Sequence, residues 1–195
     1  IGGNEDKTRE KFVLNEVVNV SKAKVISIIP TASRYYPYEL GDKYRDVFGQ
    51  LGIERVEVID IRYKEEAEAE SHLNILDESD CVFFTGGDQV RLMEILGGTK
   101  FLDKLRLRLN AGMTVAGTSA GAAVMSNPMI FDGDEMGFLK GSVNHGDGFG
   151  IIDGITVDTH FLVRNRIPRL VQFLLRGHGN IGVGIAEDTG IIISP

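Results

Sequence analysis

Residues 113–125 constrain this chain more than any other stretch. An apolar run, residues 113–116, meets Gly117-Thr118-Ser119-Ala120-Gly121, and a small-residue, helix-compatible run follows. That is the order of a strand, a sharp turn and a helix. In such a turn the serine is lifted clear of the sheet edge, and glycine on either side lets backbone and helix come close. Ser119 then carries an exposed hydroxyl at a helix N-terminus, where free N–H groups can stabilise an oxyanion. A serine in that place can equally be a helix cap. The pentapeptide fits both roles, so the rest of the chain has to decide between them.

Strand and helix patterns alternate ahead of this turn. Residues 7–20 carry Phe12, Val13, Val17 and Val20 on a helical stripe, and residues 23–30 are a β-branched run ending at Pro30. Residues 38–51 predict a second helix through Tyr44, Val47, Phe48 and Leu51, and residues 55–61 a second strand. Residues 65–70, rich in Glu and Ala, predict a short solvated helix. Residues 80–85 predict a third strand ending in Gly86-Gly87-Asp88-Gln89, residues 90–96 a helix stopped by Gly97-Gly98, and residues 101–109 alternate leucine with basic residues. Four or more such alternations imply a mostly parallel sheet covered on both faces, a three-layer α/β/α fold.

Beyond the turn the pattern weakens. Residues 126–154 predict loops with at most one short strand. Residues 155–162 alternate around Asp158 and His160, residues 167–175 predict a helix, and residues 182–186 and 190–193 predict two closing strands. No repeat, low-complexity tract or linker interrupts the 195 residues, which predict a single domain. Further residues are expected before Ile1 and further strands after Pro195.

Charge narrows the partners. A net charge of −7 with no basic stripe argues against nucleic acid. No apolar run is long enough to span a membrane. The local exception is Arg164, Arg166 and Arg169, with Arg176 further on, a cluster suited to carboxylates. The lone Cys81, beside Val82-Phe83-Phe84, predicts a buried hydrophobe and no internal disulfide, which favours a reducing, cytoplasmic compartment, or an extracellular one if a leader preceded Ile1. A homodimer is the expected assembly. Neither metal-ligand spacing nor a phosphate-loop motif is present, so no metal and no cofactor are expected.

Ligand crevices in open α/β sheets lie outside the carboxyl ends of the strands. The distinctive polar groups fall there: residues 31–33, 85–89, 118–119, 158–160 and Glu187. A serine nucleophile needs a base, and the base an orienting acceptor. His72 follows an acidic run, and His145 and His178 sit in glycine-rich loops, which leaves His160 at a strand end. Asp158 is too near His160 on one strand to converge on it, so Glu187 is the better third member. Gly86-Gly87 can turn N–H groups toward a substrate oxygen, which makes Gly87 with Ala120 a candidate oxyanion hole.

These residues resemble a family. Ile1-Gly2-Gly3 with Glu5-Asp6-Lys7, Ile29-Pro30-Thr31-Ala32-Ser33, and Phe84-Thr85-Gly86-Gly87-Asp88-Gln89 are similar to cyanophycinases. So are residues 117–122, Asp158-Thr159-His160-Phe161 and residues 184–189. Cyanophycinases are serine peptidases of family S51, relatives of the aspartyl dipeptidases. The resemblance implies a class I glutamine-amidotransferase-like (flavodoxin-like) α/β fold and hydrolysis of β-aspartyl-arginine units of the polymer cyanophycin to β-Asp-Arg dipeptides. It also implies Ser119 as nucleophile, His160 as general base and Glu187 as the group that orients it. The family's substrate positions fall on Gln89, Asp158, Thr159, Arg164, Arg166 and Arg169. One departure is Thr159, where members often carry glutamine, and a hydroxyl cannot duplicate an amide's donor and acceptor pair. The rival expectations are a dipeptidase for isoaspartyl or α-aspartyl peptides and a catalytically silent ligand binder.

Overall fold

Helix α1 (Phe12–Ser21) leads into strand β1 (Val25–Ile29), and α2 (Pro37–Gln50) crosses to β2 (Arg55–Val58). The chain then passes through a 3-10 turn at Lys64–Glu68 and α3 (Glu70–Glu78) to β3 (Cys81–Phe84), and through α4 (Gln89–Leu96) and α5 (Lys100–Asn110) to β4 (Thr114–Gly117). The four strands are parallel, in the order β2-β1-β3-β4. The computed structural model that shows this describes residues 1–133, 143–179 and 181–194.

Strand β3 explains why the sheet is covered twice. All four of its residues are buried, and successive side chains point to opposite faces. Cys81 and Phe83 join Ile26, Ile28, Leu14, Tyr44, Val47 and Phe48 beneath α1 and α2. Val82 and Phe84 join Ile29, Leu76, Leu92, Leu96, Phe101 and Leu105 beneath α3, α4 and α5. The result is the expected α/β architecture. Cys81 is fully buried, and burial pushes its thiol up to about 12, so it packs as a small hydrophobe.

After β4 come α6 (Ala120–Ala123), the antiparallel pair β5 (Met129–Gly133) and β6 (Val143–Gly146), β7 (Ile155–Asp158), α7 (Ile167–Leu175) and β8 (Ile181–Gly184). Strands β7 and β8 pair in parallel. Val157 of β7 and Ile185 just beyond β8 pack with Ala122 of α6, which sets this pair beside the main sheet.

Several expectations need correction. The first helix begins at Phe12, not residue 7, because the Asp6 carboxylate takes the N–H groups of Thr8, Arg9 and Lys11 at 2.9–3.0 Å and holds them in a loop. The region expected to be loop holds the β5–β6 hairpin, with residues 134–142 of it outside the described residues. His145 lies on β6, not in a loop. Residues 190–193 form no strand: Ile191, Ile192 and Ile193 are exposed, and no described strand pairs with them.

Candidate active site

The turn after β4 is strained at one residue. Ser119 has φ 53° and ψ −114°, far from ordinary backbone for a residue with a side chain. Its glycines make that geometry reachable. A Cβ on Gly121 would lie 2.3 Å from the Phe84 carbonyl oxygen, and one on Gly117 would lie 2.4 Å from the Gly121 oxygen. Only bare backbone lets α6 pack that close to β3 and β4. The Ser119 hydroxyl makes no cap hydrogen bond. It lies 2.9 Å from His160 Nε2 instead.

His160 follows β7 with φ 49° and is 8% exposed. Its Nδ1 is 2.6 Å from Glu187 Oε1. A carboxylate can only accept there, so Nδ1 carries the proton and Nε2 is left to accept from the serine hydroxyl. Glu187 also accepts from the Asn4 amide at 2.9 Å on Oε2. The His160 bond first, and the Asn4 bond second, hold the Glu187 carboxyl below the usual carboxylate range. Serine, imidazole and carboxylate are thus joined in series, from three different strand ends.

The N-terminal segment ties these ends together. The Ile1 nitrogen donates to the Gly117 carbonyl at 2.8 Å, and the Ile1 carbonyl accepts from Ser119 N–H at 3.0 Å. The next residue, Gly2, accepts from His160 N–H at 2.7 Å and donates to the Thr189 carbonyl at 2.9 Å, while Gly3 accepts from Asp188 N–H at 3.0 Å. A Cβ on Gly3, whose φ is 100°, would sit 2.4 Å from His160 Nε2, so glycine is required where the segment passes under the imidazole. Just beyond, the buried Glu5 accepts from Thr118 Oγ1 at 2.6 Å, from Tyr44 Oη and from Lys7 at 2.9 Å. Burial opposes its ionisation, yet these partners together hold Glu5 below the usual range.

Sequence reasoning missed this clasp, and Asn4 with it. The only signal was two glycines followed closely by an acid. Nothing in their spacing points to partners more than a hundred residues away. One expectation follows for Asn4→Ala. Without the amide the Glu187 carboxylate loses one of its two anchoring bonds and holds the imidazole less firmly, so kcat should fall by up to about tenfold with KM unchanged. An undiminished kcat, read from initial rates at saturating substrate, would show that Asn4 does not position Glu187.

The residues expected to bind substrate divide into two groups. Asp158, Thr159, Arg166 and Arg169 are brought together beside His160. Arg169 is 4% exposed and grips Asp158 with two nitrogens, Nε at 2.7 Å and Nη2 closer still. Arg166 Nη1 donates to the Thr159 carbonyl at 2.7 Å and reaches Asp158 at 3.5 Å. Thr159 itself is buried. Two others stand apart: Arg164 is exposed on the following turn, and Gln89 donates its amide to the Ile130 carbonyl at 3.1 Å. The engagement of Arg169 has an energetic consequence. Arg169→Met leaves the Asp158 carboxylate buried without its partner and should destabilise the fold by about 3–5 kcal/mol in denaturant titration.

Gly87 and Ala120 flank the serine. A Cβ on Gly87 would lie 2.2 Å from the Ala32 carbonyl oxygen, so only glycine lets the loops after β1 and β3 come this close, and Gly86 borders the Ser119 side chain. Among the described residues no acceptor takes the N–H of Gly87 or Ala120. Both remain available to an incoming oxygen.

A parallel α/β sheet whose carboxyl edge carries a strained serine, bonded in series to an imidazole and a carboxylate, has the build of a serine hydrolase. The chain belongs to Peptidase family S51, whose sequence model matches residues 1–194. It is 41% identical over 194 residues to the cyanophycinase of Trichormus variabilis, covering 97% of this chain and 64% of that protein. To the cyanophycinase of Geminocystis herdmanii it is 37% identical over 193 residues, covering 97% of this chain and 71% of that one. The chain therefore spans a little under two thirds of the Trichormus protein. Among solved structures, a peptidase from an acI-B1 Actinobacterium superposes with a TM-score of 0.75 at 19% identity, over 96% of this chain and 78% of that one. That likeness concerns the fold.

Proposed function

We propose that the chain is a serine-type exopeptidase that hydrolyses cyanophycin between its β-aspartyl-arginine units and releases β-Asp-Arg dipeptides. The observation that carries this reading is the unbroken series Ser119 Oγ, His160 Nε2, His160 Nδ1, Glu187 Oε1, with contacts of 2.9 and 2.6 Å. The likeness to cyanophycinases supports the substrate.

His160 Nε2 takes the Ser119 proton as Oγ attacks the scissile carbonyl carbon. Glu187 keeps the imidazole in the accepting tautomer and stabilises the imidazolium that forms. The N–H groups of Gly87 and Ala120 receive the oxyanion. Collapse of the tetrahedral adduct breaks the C–N bond, and the leaving amine takes the proton from His160. Water, deprotonated by His160, then attacks the acyl-enzyme and frees the serine. No metal or cofactor enters these steps.

Specificity rests on the neighbouring charges in this reading. The Asp158–Arg169 pair forms a rigid wall beside His160, with Arg166 braced on the Thr159 carbonyl. Arg164, exposed on the turn after His160 and near enough to act on the Glu187 carboxylate, would pair with a substrate carboxylate. Thr159 offers one hydroxyl where relatives often offer an amide, so the pocket recognises its substrate with fewer side-chain bonds.

Digestion of purified cyanophycin with identification of the products by mass spectrometry tests the proposal. The expected products are β-Asp-Arg dipeptides. Cleavage of β-Asp-Leu or α-Asp-Leu dipeptides with the polymer left intact would replace it by a dipeptidase.

A further inference from the structure

A second group of cations lies along the same edge of the sheet, away from the serine. Arg34 sits in the loop after β1, Arg62, Tyr63 and Lys64 follow β2, and Arg91 is on α4 after β3; together with Glu65 and Ile95 they line an open cavity of about 550 Å³. We propose that this groove is a polymer subsite: it binds a substrate segment remote from the scissile bond that carries carboxylate and guanidinium groups together. The proposal rests on the cyanophycin reading given above.

Among the described residues, two of the four cations, Arg91 and Lys64, are held without a carboxylate in ion-pair contact, and two are paired. Arg91 donates Nε to the Thr31 carbonyl at 2.9 Å and Nη2 to the Arg62 carbonyl at 3.2 Å. Arg62 donates Nη2 to the Ser33 carbonyl at 2.7 Å. Carbonyl oxygens fix a guanidinium in orientation but leave its full charge for a ligand. Arg34 pairs with Asp88 at 3.0 Å and Arg62 with Asp60 at 3.4 Å, whereas Arg91 and Lys64 have no carboxylate within ion-pair distance among the described residues. Burial, then the nearby charges of Arg62 and Arg34, hold Arg91 below its ordinary value, the mark of cations crowded together. In a chain of net charge −7 this concentration runs against the overall balance.

The aromatic residues point to the second half of the ligand. Four of the chain's five tyrosines are exposed, at 83% for Tyr35 and 68% for each of Tyr36, Tyr38 and Tyr63, with Tyr44 buried. Tyr63 lines the groove, and Tyr35 and Tyr36 directly follow Arg34. Exposed phenol faces bind guanidinium groups, as arginine forks bind carboxylates. A ligand that alternates the two groups fits both features. A simple anion would use only one.

Position argues for a chain rather than a free small molecule. Gly86 borders the Ser119 side chain and Gly87 borders Ala32 of the loop that carries Arg34, so the residues between the serine and that loop are small. Strand β4 to strand β2 is three strand spacings, ~14 Å, which a peptide main chain covers in about four residues. Reaching from the serine to the groove's far end after β2 therefore takes a short oligomer.

The test uses the Ser119→Ala protein, so that ligands stay intact, and measures binding of a soluble four-to-six-unit β-Asp-Arg oligomer and of the single unit by calorimetry. Arg91→Gln keeps donors for the two carbonyls, and Lys64→Glu changes an exposed side chain; each is checked for an unchanged melting temperature. Each added substitution should weaken oligomer binding by about tenfold and lower the ratio of oligomer to single-unit affinity by the same factor. An unchanged ratio overturns the subsite, and so does failure of the Ser119→Ala protein to bind oligomer at all. Equal weakening for both ligands would make the groove a product site and overturns it too. Hydrolysis of cyanophycin by the unsubstituted protein is scored separately: groove-dependent binding without hydrolysis would retain the subsite and remove the peptidase reading.

Discussion

Ser119→Ala is expected to lower kcat on cyanophycin by about 10⁵-fold while the melting temperature stays within a few degrees of the parent. The size follows from what the hydroxyl does in the proposed reaction. With no Oγ there is no covalent path, and only the N–H donors of Gly87 and Ala120 and the binding groups remain to favour attack by water. Such residual catalysis is a small fraction of the total. The small stability change follows from the contacts. Among the described residues the Ser119 side chain bonds only to His160, whereas its backbone N–H and carbonyl, bonded to Ile1, Ala122 and Ala123, are untouched. Alanine must still adopt φ 53°, as serine already does, so the strain is shared by both proteins. Turnover within tenfold of the parent would remove Ser119 as the nucleophile.

The same elbow shows why part of the site could be read before any coordinates. Gly117 and Gly121 are required locally, each by a neighbour close in the chain or on the next strand, so the pentapeptide carries its own geometry. His160 and Glu187 were legible for a related reason: each ends a strand pattern, and strand ends in a parallel sheet converge on one edge. Between nucleophile and cap, the sequence was balanced. The Ser119 hydroxyl contacts His160 and makes no cap bond, which favours the nucleophile of the proposed reaction.

What could not be read depends on contacts that leave no periodic mark. The Ile1–Asn4 clasp acts through backbone N–H and C=O groups, which every residue has, and through partners more than a hundred residues distant. Helix α3 has its apolar side chains bunched at Leu73, Ile75 and Leu76, too short a stripe to stand out beside the acidic residues before it. Residues 190–193 erred the other way. Three successive isoleucines have high strand preference, but preference forms no ladder without a neighbour to pair with. The arginines after His160 were expected to bind carboxylates as a cluster. For Arg169, the carboxylate in contact is the protein's own Asp158.

Glu187→Gln should lower kcat by about 10⁴-fold with little change in KM, a loss second only to that at the serine. Glutamine is nearly the same shape, so His160 and the substrate pocket keep their places. The change lies in the proton. The Glu187 carboxylate accepts at both oxygens, from His160 on one and from Asn4 on the other. An amide has a single acceptor oxygen. If that oxygen faces Asn4, the NH₂ group is turned toward His160 Nδ1, which must then give up its hydrogen and pass it to Nε2. An imidazole protonated at Nε2 cannot receive the serine proton. Acid should reproduce this effect in the parent. The carboxyl is depressed in the folded protein, so its contribution is complete above the ordinary glutamate range and is lost only as pH falls through the depressed value. The parent should therefore keep Glu187 functional well into mildly acidic solution, and the Gln variant should be impaired at every pH. A Gln variant that matches the parent at neutral pH would leave His160 oriented by the backbone clasp alone.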